Sequence, residues 1–153
     1  MVLCDLFFKS DTKQTKQDID TKEFKSGRRG WCNTNEEFPY FEVAGLTLFH
    51  EMTHMHDVGQ RAELVARPDP DGYSSAGTID IYEKGGSDDI AKYKGMEPWK
   101  AARTLKRFWD EYDADNNKYK PTHSPIYNAE SYAAAALEFM FLDRCKWDVI
   151  LPK

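Results

Sequence analysis

Two imidazoles lie four residues apart in the apolar stretch Leu46-Thr47-Leu48-Phe49-His50-Glu51-Met52-Thr53-His54. On an α-helix, positions i and i+4 share one face, so His50 and His54 can each give a nitrogen to one tetrahedral ion. Glu51 projects about 100° around the helix from His50. Its carboxylate can take a proton from a water molecule whose pKa the ion has lowered to about 7. The stretch predicts a helix with two zinc ligands and a general base, while Met52 and Thr53 are assigned no role.

Apolar periodicity predicts three main helices. The first begins after Pro39, carries the two histidines and stops near Gly59. The second opens at Pro98, and its core-facing stripe consists of Trp99, Ala102, Leu105, Trp109 and Tyr112. The third runs from about Ala129 to Lys146 after Asn128 as N-cap, and it is apolar on most sides, so we expect other elements to cover it. With a strand at residues 2–8, the prediction is one helix-dominated α+β domain over residues 1–153.

Composition limits the classes of partner. The chain has 153 residues, 41% of them apolar, and a formal net charge of −5, which disfavours nucleic acid and anionic membranes as partners. It has no apolar run of membrane-spanning length, and Met1 to Phe8 lacks the basic start and cleavage site of a secretory signal. Its three cysteines, Cys4, Cys32 and Cys145, allow at most one disulfide, whose pairing stays open, and they lack the CxxC spacing of a cysteine zinc site.

A catalytic zinc site needs a third protein ligand and an open position. The main candidate is Asp80, in Gly77-Thr78-Ile79-Asp80-Ile81-Tyr82, because a glycine turn and a short extended segment can carry a carboxylate toward a helix. His56 would project about 200° from His54 if the helix continued past it, which makes it a weaker candidate. His123, in a loop bounded by prolines, is another.

Three segments together resemble the deuterolysin family of fungal metalloendopeptidases, the aspzincins. They are the HEMTH motif, then Gly77-Thr78-Ile79-Asp80, then Asn128-Ala129-Glu130-Ser131-Tyr132-Ala133. The resemblance implies a secreted, zincin-like enzyme with Zn²⁺ on His50, His54 and Asp80, and with Glu51 as base. The family pattern places a tyrosine three residues after the aspartate and a glycine next. Here Tyr82 comes two residues after Asp80, and Gly85 comes five residues after it.

These departures leave alternatives open around the third ligand. Asp88 and Asp89 remain alternative ligands, and Tyr82 is the nearest candidate to stabilise an oxyanion. One of Asn128, Glu130 and Tyr132 is expected to take the second imidazole N–H of a ligand histidine.

The predicted function is a monomeric zinc metalloendopeptidase acting on proteins or peptides. We expect zinc to be lost below about pH 6.5, near the unperturbed pKa of histidine. The alternative is a zinc-binding secreted protein or effector on a peptidase scaffold, with little or no proteolytic activity.

Overall fold

Helices dominate the chain, as the sequence predicts. The computed structural model describes residues 15–33, 41–68, 74–81 and 95–147. Its helices are α1 (Lys16–Thr21), α2 (Ala44–Thr53), α3 (His56–Arg61), α4 (Pro98–Ala114) and α5 (Ala129–Cys145), with a 3₁₀ turn at Pro125–Tyr127. Two short antiparallel strands, β1 (Arg67–Pro68) and β2 (Ser74–Ser75), pair Arg67 with Ser75. The helix-dominated α+β class is confirmed, and the strand predicted at residues 2–8 lies outside the described residues.

The helix with the two histidines ends earlier than predicted. It stops at Thr53, Met55 is extended, and α3 begins at His56. The last amide groups bond three residues back, from His54 N to Glu51 O and from Met55 N to Met52 O, so the final turn tightens before the chain leaves it. The prediction of one helix up to Gly59 was therefore wrong, and Gly59 lies inside α3.

The chain divides into two compact units, the first comprising Met1–Phe49 with Ala135–Lys153 and the second His50–Ala134. The prediction of a single domain stays a prediction. In the first unit, the ring of Phe41 lies 5.3 Å from that of Phe24 and 4.7 Å from that of Phe141, and all three side chains are buried. Such tilted and edge-on aromatic pairs add to the stability gained from burial alone.

A disulfide in the first unit answers the open question of pairing. Cys32 is bonded to Cys145, at a sequence separation of 113 residues. Both sulfurs are therefore excluded as metal ligands. Cys4 lies outside the described residues.

Helix α5 is less covered than its sequence predicts. Leu137 and Phe141 are buried, but Phe139 is 72% exposed and Leu142 is 39% exposed. The prediction that other elements cover α5 was wrong, because apolar side chains on a helix can remain exposed to solvent. None of the described helices has the length and apolar character needed to cross a membrane.

The core of the second unit forms around α4. The predicted stripe is confirmed at Trp99, Ala102 and Leu105, each at most 3% exposed, whereas Trp109 and Tyr112 are half-buried. Four further residues complete the hydrophobic cluster around Leu105, namely Ala101, Ile81, Ile79 and Phe108. Because Ile79 and Ile81 pack there, the backbone on both sides of Asp80 is anchored in the core.

Candidate metal centre

Three side chains that can bind a metal converge in the second unit. His50 Nε2 lies 3.3 Å from His54 Nε2 and 3.2 Å from Asp80 Oδ1, and His54 Nε2 lies 3.4 Å from Asp80 Oδ2. The three side chains are 15%, 28% and 20% exposed, respectively. They are the group of possible metal ligands that the described part of the chain brings together.

These distances fit a tetrahedral zinc ion. Zinc–nitrogen and zinc–oxygen bonds are about 2.0–2.2 Å long, so two ligand atoms on a tetrahedron lie about 3.3–3.6 Å apart. The two imidazole nitrogens are 3.3 Å apart, which is within this range. The carboxylate lies near both of them, with Oδ1 3.2 Å from His50 Nε2 and Oδ2 3.4 Å from His54 Nε2. The donor set also fits, because two imidazoles and one carboxylate leave a fourth position open.

The outer nitrogen of each imidazole determines which nitrogen faces the centre. His54 Nδ1 lies 2.9 Å from the carbonyl oxygen of Thr78, which can only accept, so Nδ1–H donates to it. His50 Nδ1 lies 3.1 Å from Glu130 Oε2, a carboxylate oxygen that accepts in the same way. In the neutral imidazoles, both Nε2 atoms therefore present lone pairs to the centre. The contact of Glu130 with His50 is the one predicted for this segment.

Asp80 brings further negative charge to the same point. Its Oδ1 atom is buried and accepts no hydrogen bond, although it lies close enough to His50 to form an ion pair. When both imidazoles are neutral, three acceptors face one another, and a proton or a metal cation at their centre stabilises this arrangement. The buried Oδ1 atom thus supports the fit to a metal ion independently of the distances.

The pKa values of the three side chains also indicate that the centre favours a positive charge. Burial disfavours a charge on His50, but its contacts with Asp80 and Glu130 outweigh burial and raise its pKa to about 10. Contact with Asp80 likewise raises the pKa of His54. Burial would raise the pKa of Asp80, yet the two imidazoles hold it well below its usual range. Without a metal, the centre therefore retains a proton.

Backbone hydrogen bonds hold Asp80 in place. Ile79 forms a parallel bridge with Asn128, in which Ile79 N donates to Tyr127 O at 2.8 Å and Ile79 O accepts from Ala129 N at 3.0 Å. Asn128 Oδ1 also accepts from Ile81 N at 3.4 Å. Asn128 directly precedes α5, the position predicted for the N-cap, and its side-chain amide donates to Ser131 Oγ in the first turn at 3.0 Å. Its side-chain oxygen also binds the Asp80 segment, a contact that was not predicted.

Two glycines allow close contacts between backbones around the centre. A Cβ atom at Gly77 would lie 1.9 Å from the carbonyl oxygen of His54, and one at Gly59 would lie 1.9 Å from that of Ala76. Any side chain larger than hydrogen would separate these segments. The glycine turn predicted before Asp80 thus allows the backbone at Gly77 to pack against the backbone of His54, just after the end of α2.

The other predicted site residues have different positions. His56 Nδ1 accepts a hydrogen bond from Ala76 N at 3.1 Å, so it supports the same segment and is not in the ligand group. His123 is also outside that group. Glu51, in α2, is exposed to water, and its role stays a prediction. Tyr82, Asp88 and Asp89 lie outside the described residues.

Two residues that support the centre were not predicted from the sequence. The hydroxyl group of the buried Thr53 contacts both His50 and Thr78. The guanidinium of Arg67 donates to Gly77 O and lies 4.2 Å from the ring centroid of Tyr127. A threonine between two ligands offers a weak signal for the first, and nothing in the sequence distinguishes Arg67 from an ordinary loop arginine.

Comparison with protein-family models, with curated proteins and with solved structures finds no match to this chain. Membership of the deuterolysin family therefore stays a prediction from its three motifs.

Proposed function

We propose that the chain is a zinc-dependent metalloendopeptidase of zincin-like fold, similar to the deuterolysin family. The observation that supports it best is the convergence of two imidazole nitrogens and a carboxylate at 3.2–3.4 Å, with Glu51 between the two histidines in the sequence. The outer contacts of both imidazoles turn their lone pairs to the same point.

The donor set suits hydrolysis. Bound zinc supplies a Lewis acid, which lowers the pKa of a water molecule to about 7 and polarises a carbonyl group. His50 and His54 contribute no charge, and Asp80 contributes one negative charge, so a divalent ion keeps net positive charge. Three ligands also leave room for water and substrate at the fourth position.

Glu51 completes the chemistry. It follows His50 directly in α2, and its side chain is exposed, so water can reach its carboxylate. It takes the proton from the attacking water and then passes it to the leaving amine of the substrate. We propose Tyr82 as the donor to the oxyanion.

Metal content tests the ligands. Wild-type protein should bind one zinc per chain, and His54→Ala and Asp80→Ala should lose it. His123→Ala is the matched control, since this imidazole is outside the ligand group. Zinc retained in Asp80→Ala would overturn the ligand set.

Cleavage of an unfolded protein tests the reaction. Glu51→Gln should keep zinc and lose chelator-sensitive cleavage, whereas Glu111→Gln, on the exposed face of α4, should cleave as the wild type does. Turnover unchanged in Glu51→Gln would refute the proposed role of Glu51.

The same geometry supports a second function, a zinc-binding secreted protein without proteolytic activity. Two imidazoles with outer partners and one carboxylate are sufficient to hold the ion, whether or not Tyr82 contributes to a reaction. This alternative predicts stoichiometric zinc in a protein that cleaves nothing. The Cys32–Cys145 disulfide supports secretion in either case, because disulfides persist in oxidising compartments.

A further inference from the structure

A pair of buried threonine hydroxyls links the two segments that carry the metal ligands. Thr53 is the last residue of α2 and is 6% exposed; Thr78, two residues before Asp80, is also 6% exposed. Their Oγ1 atoms lie 2.7 Å apart. Two buried hydroxyls at this distance form a hydrogen bond. In a medium of low dielectric constant, a hydroxyl left without this bond destabilises the fold.

The direction of this hydrogen bond follows from the proton count. Thr53 Oγ1 lies 2.7 Å from the carbonyl oxygen of His50, which can only accept, so the single hydroxyl proton of Thr53 goes to His50 O. Thr53 Oγ1 must then accept the proton of Thr78. The result is a directed chain from Thr78 through Thr53 to His50.

Thr78 binds the end of α2 through all its polar groups. Its N–H donates to Thr53 O at 2.9 Å, its carbonyl accepts from His54 Nδ1 at 2.9 Å, and its hydroxyl donates to Thr53 Oγ1. The backbone of Asp80 follows two residues later. A shift of Thr78 would therefore move the carboxylate of Asp80 and turn the imidazole of His54 at once.

We propose that Thr53 and Thr78 are positioning residues that set the affinity of the metal site, by holding Asp80 in register with the two histidines. This inference rests on the proposed metal centre and extends it to a residue within the HExxH motif. The hydroxyl, and not the volume of the side chain, is the required feature. Valine at position 53 would leave Thr78 without its acceptor and His50 O without its donor.

The test is zinc affinity, measured by competition with a chelator. Thr53→Val should bind zinc about 10- to 100-fold more weakly than wild type, the range for loss of an outer-shell partner. Thr53→Ser, which keeps the hydroxyl, should bind within about threefold of wild type. Thr104→Val is the matched control, because the hydroxyl of Thr104 in α4 donates to the sulfur of Met96 at 3.6 Å and Thr104 is outside the ligand group.

A spectroscopic measurement separates positioning from a loss of stability. The visible spectrum of the Co²⁺-loaded protein reports ligand geometry, so Thr53→Val should change it and Thr53→Ser should not. If Thr53→Val does not fold, Thr78→Val takes its place and must show the same loss of affinity. Wild-type affinity in the valine variant, or equal weakness in the serine variant, would overturn the proposal.

These outcomes are distinct from failure of the proposed function. Wild-type protein that binds zinc and cleaves nothing would refute the endopeptidase and leave the threonine pair to be judged by affinity. Cleavage by a valine variant of unchanged zinc affinity would refute the threonine proposal alone.

Discussion

Replacement of Glu130 by glutamine should weaken the metal site in a way that depends on pH. Glu130 is 7% exposed, and its Oε2 atom lies 3.1 Å from His50 Nδ1. Glutamine keeps the size and one acceptor but removes the negative charge. Loss of such a partner weakens metal binding by about 10- to 100-fold, or about 1.4–2.7 kcal/mol.

Proton competition changes how much of that loss is seen. Zinc must displace a proton from His50, whose pKa is about 10 in the metal-free chain. This displacement lowers the apparent zinc affinity of the wild type, and it lowers it more at pH 7 than at pH 9. Removal of Glu130 lowers the pKa of His50 and relieves part of the competition. The deficit of Glu130→Gln should therefore be small at pH 7 and grow toward pH 9.

Chelator competition at pH 7, 8 and 9 measures this trend. Glu111→Gln serves as the control for removal of an exposed carboxylate, and it should match the wild type at each pH. A deficit that stays constant or shrinks as the pH rises would refute the coupling between Glu130 and His50. The pH of about 6.5 expected for the loss of zinc is then a lower limit, because protons compete with zinc for His50 well above that pH.

Three further predictions concern the fold around the site. Gly77→Ala should weaken zinc binding at least tenfold and destabilise the fold by about 1–3 kcal/mol, since its Cβ would lie 1.9 Å from His54 O. The control, Gly45→Ala, places a methyl group in open space on α2 and should be neutral or stabilising by up to about 1 kcal/mol. Equal effects of the two changes on zinc affinity would contradict the proposed close approach at Gly77. The raised pKa of His50 stabilises the metal-free fold fully below pH 6.5, and this contribution is lost as the pH rises to about 10. In thermal melts with chelator, the melting temperature of the wild type should therefore fall more steeply across that pH range than the melting temperature of His50→Gln. Cys32→Ser should lower the free energy of unfolding by about 2–5 kcal/mol in denaturant melts, and an unchanged midpoint would show that the bond contributes nothing.

Local sequence patterns predicted the elements of this site well. The spacing of His50 and His54 needs only one helical turn, so their shared face followed from periodicity. The positions of α4 and α5 followed from Pro98, from Asn128 and from the apolar pattern after each. The segment with Asp80 came from a glycine turn and a resemblance, and the structure brings it to the two histidines.

Long-range contacts explain what the sequence did not predict. The end of α2 at Thr53 depends on Thr78, which lies 25 residues later. The role of Asn128 depends on Ile81, which lies 47 residues earlier. Periodicity and capping preferences describe neighbours along the chain, so partners of this kind are outside their reach.

The two closely packed glycines also have a consequence for the history of this protein. Gly59 and Gly77 are required by the distance between two backbones, whereas His50, His54 and Asp80 are required only by the proposed metal site. A relative that had lost zinc could replace all three ligands and would still need both glycines to keep this backbone. We therefore expect the glycine pair to identify descendants of this architecture, and the ligands to identify those that still bind metal.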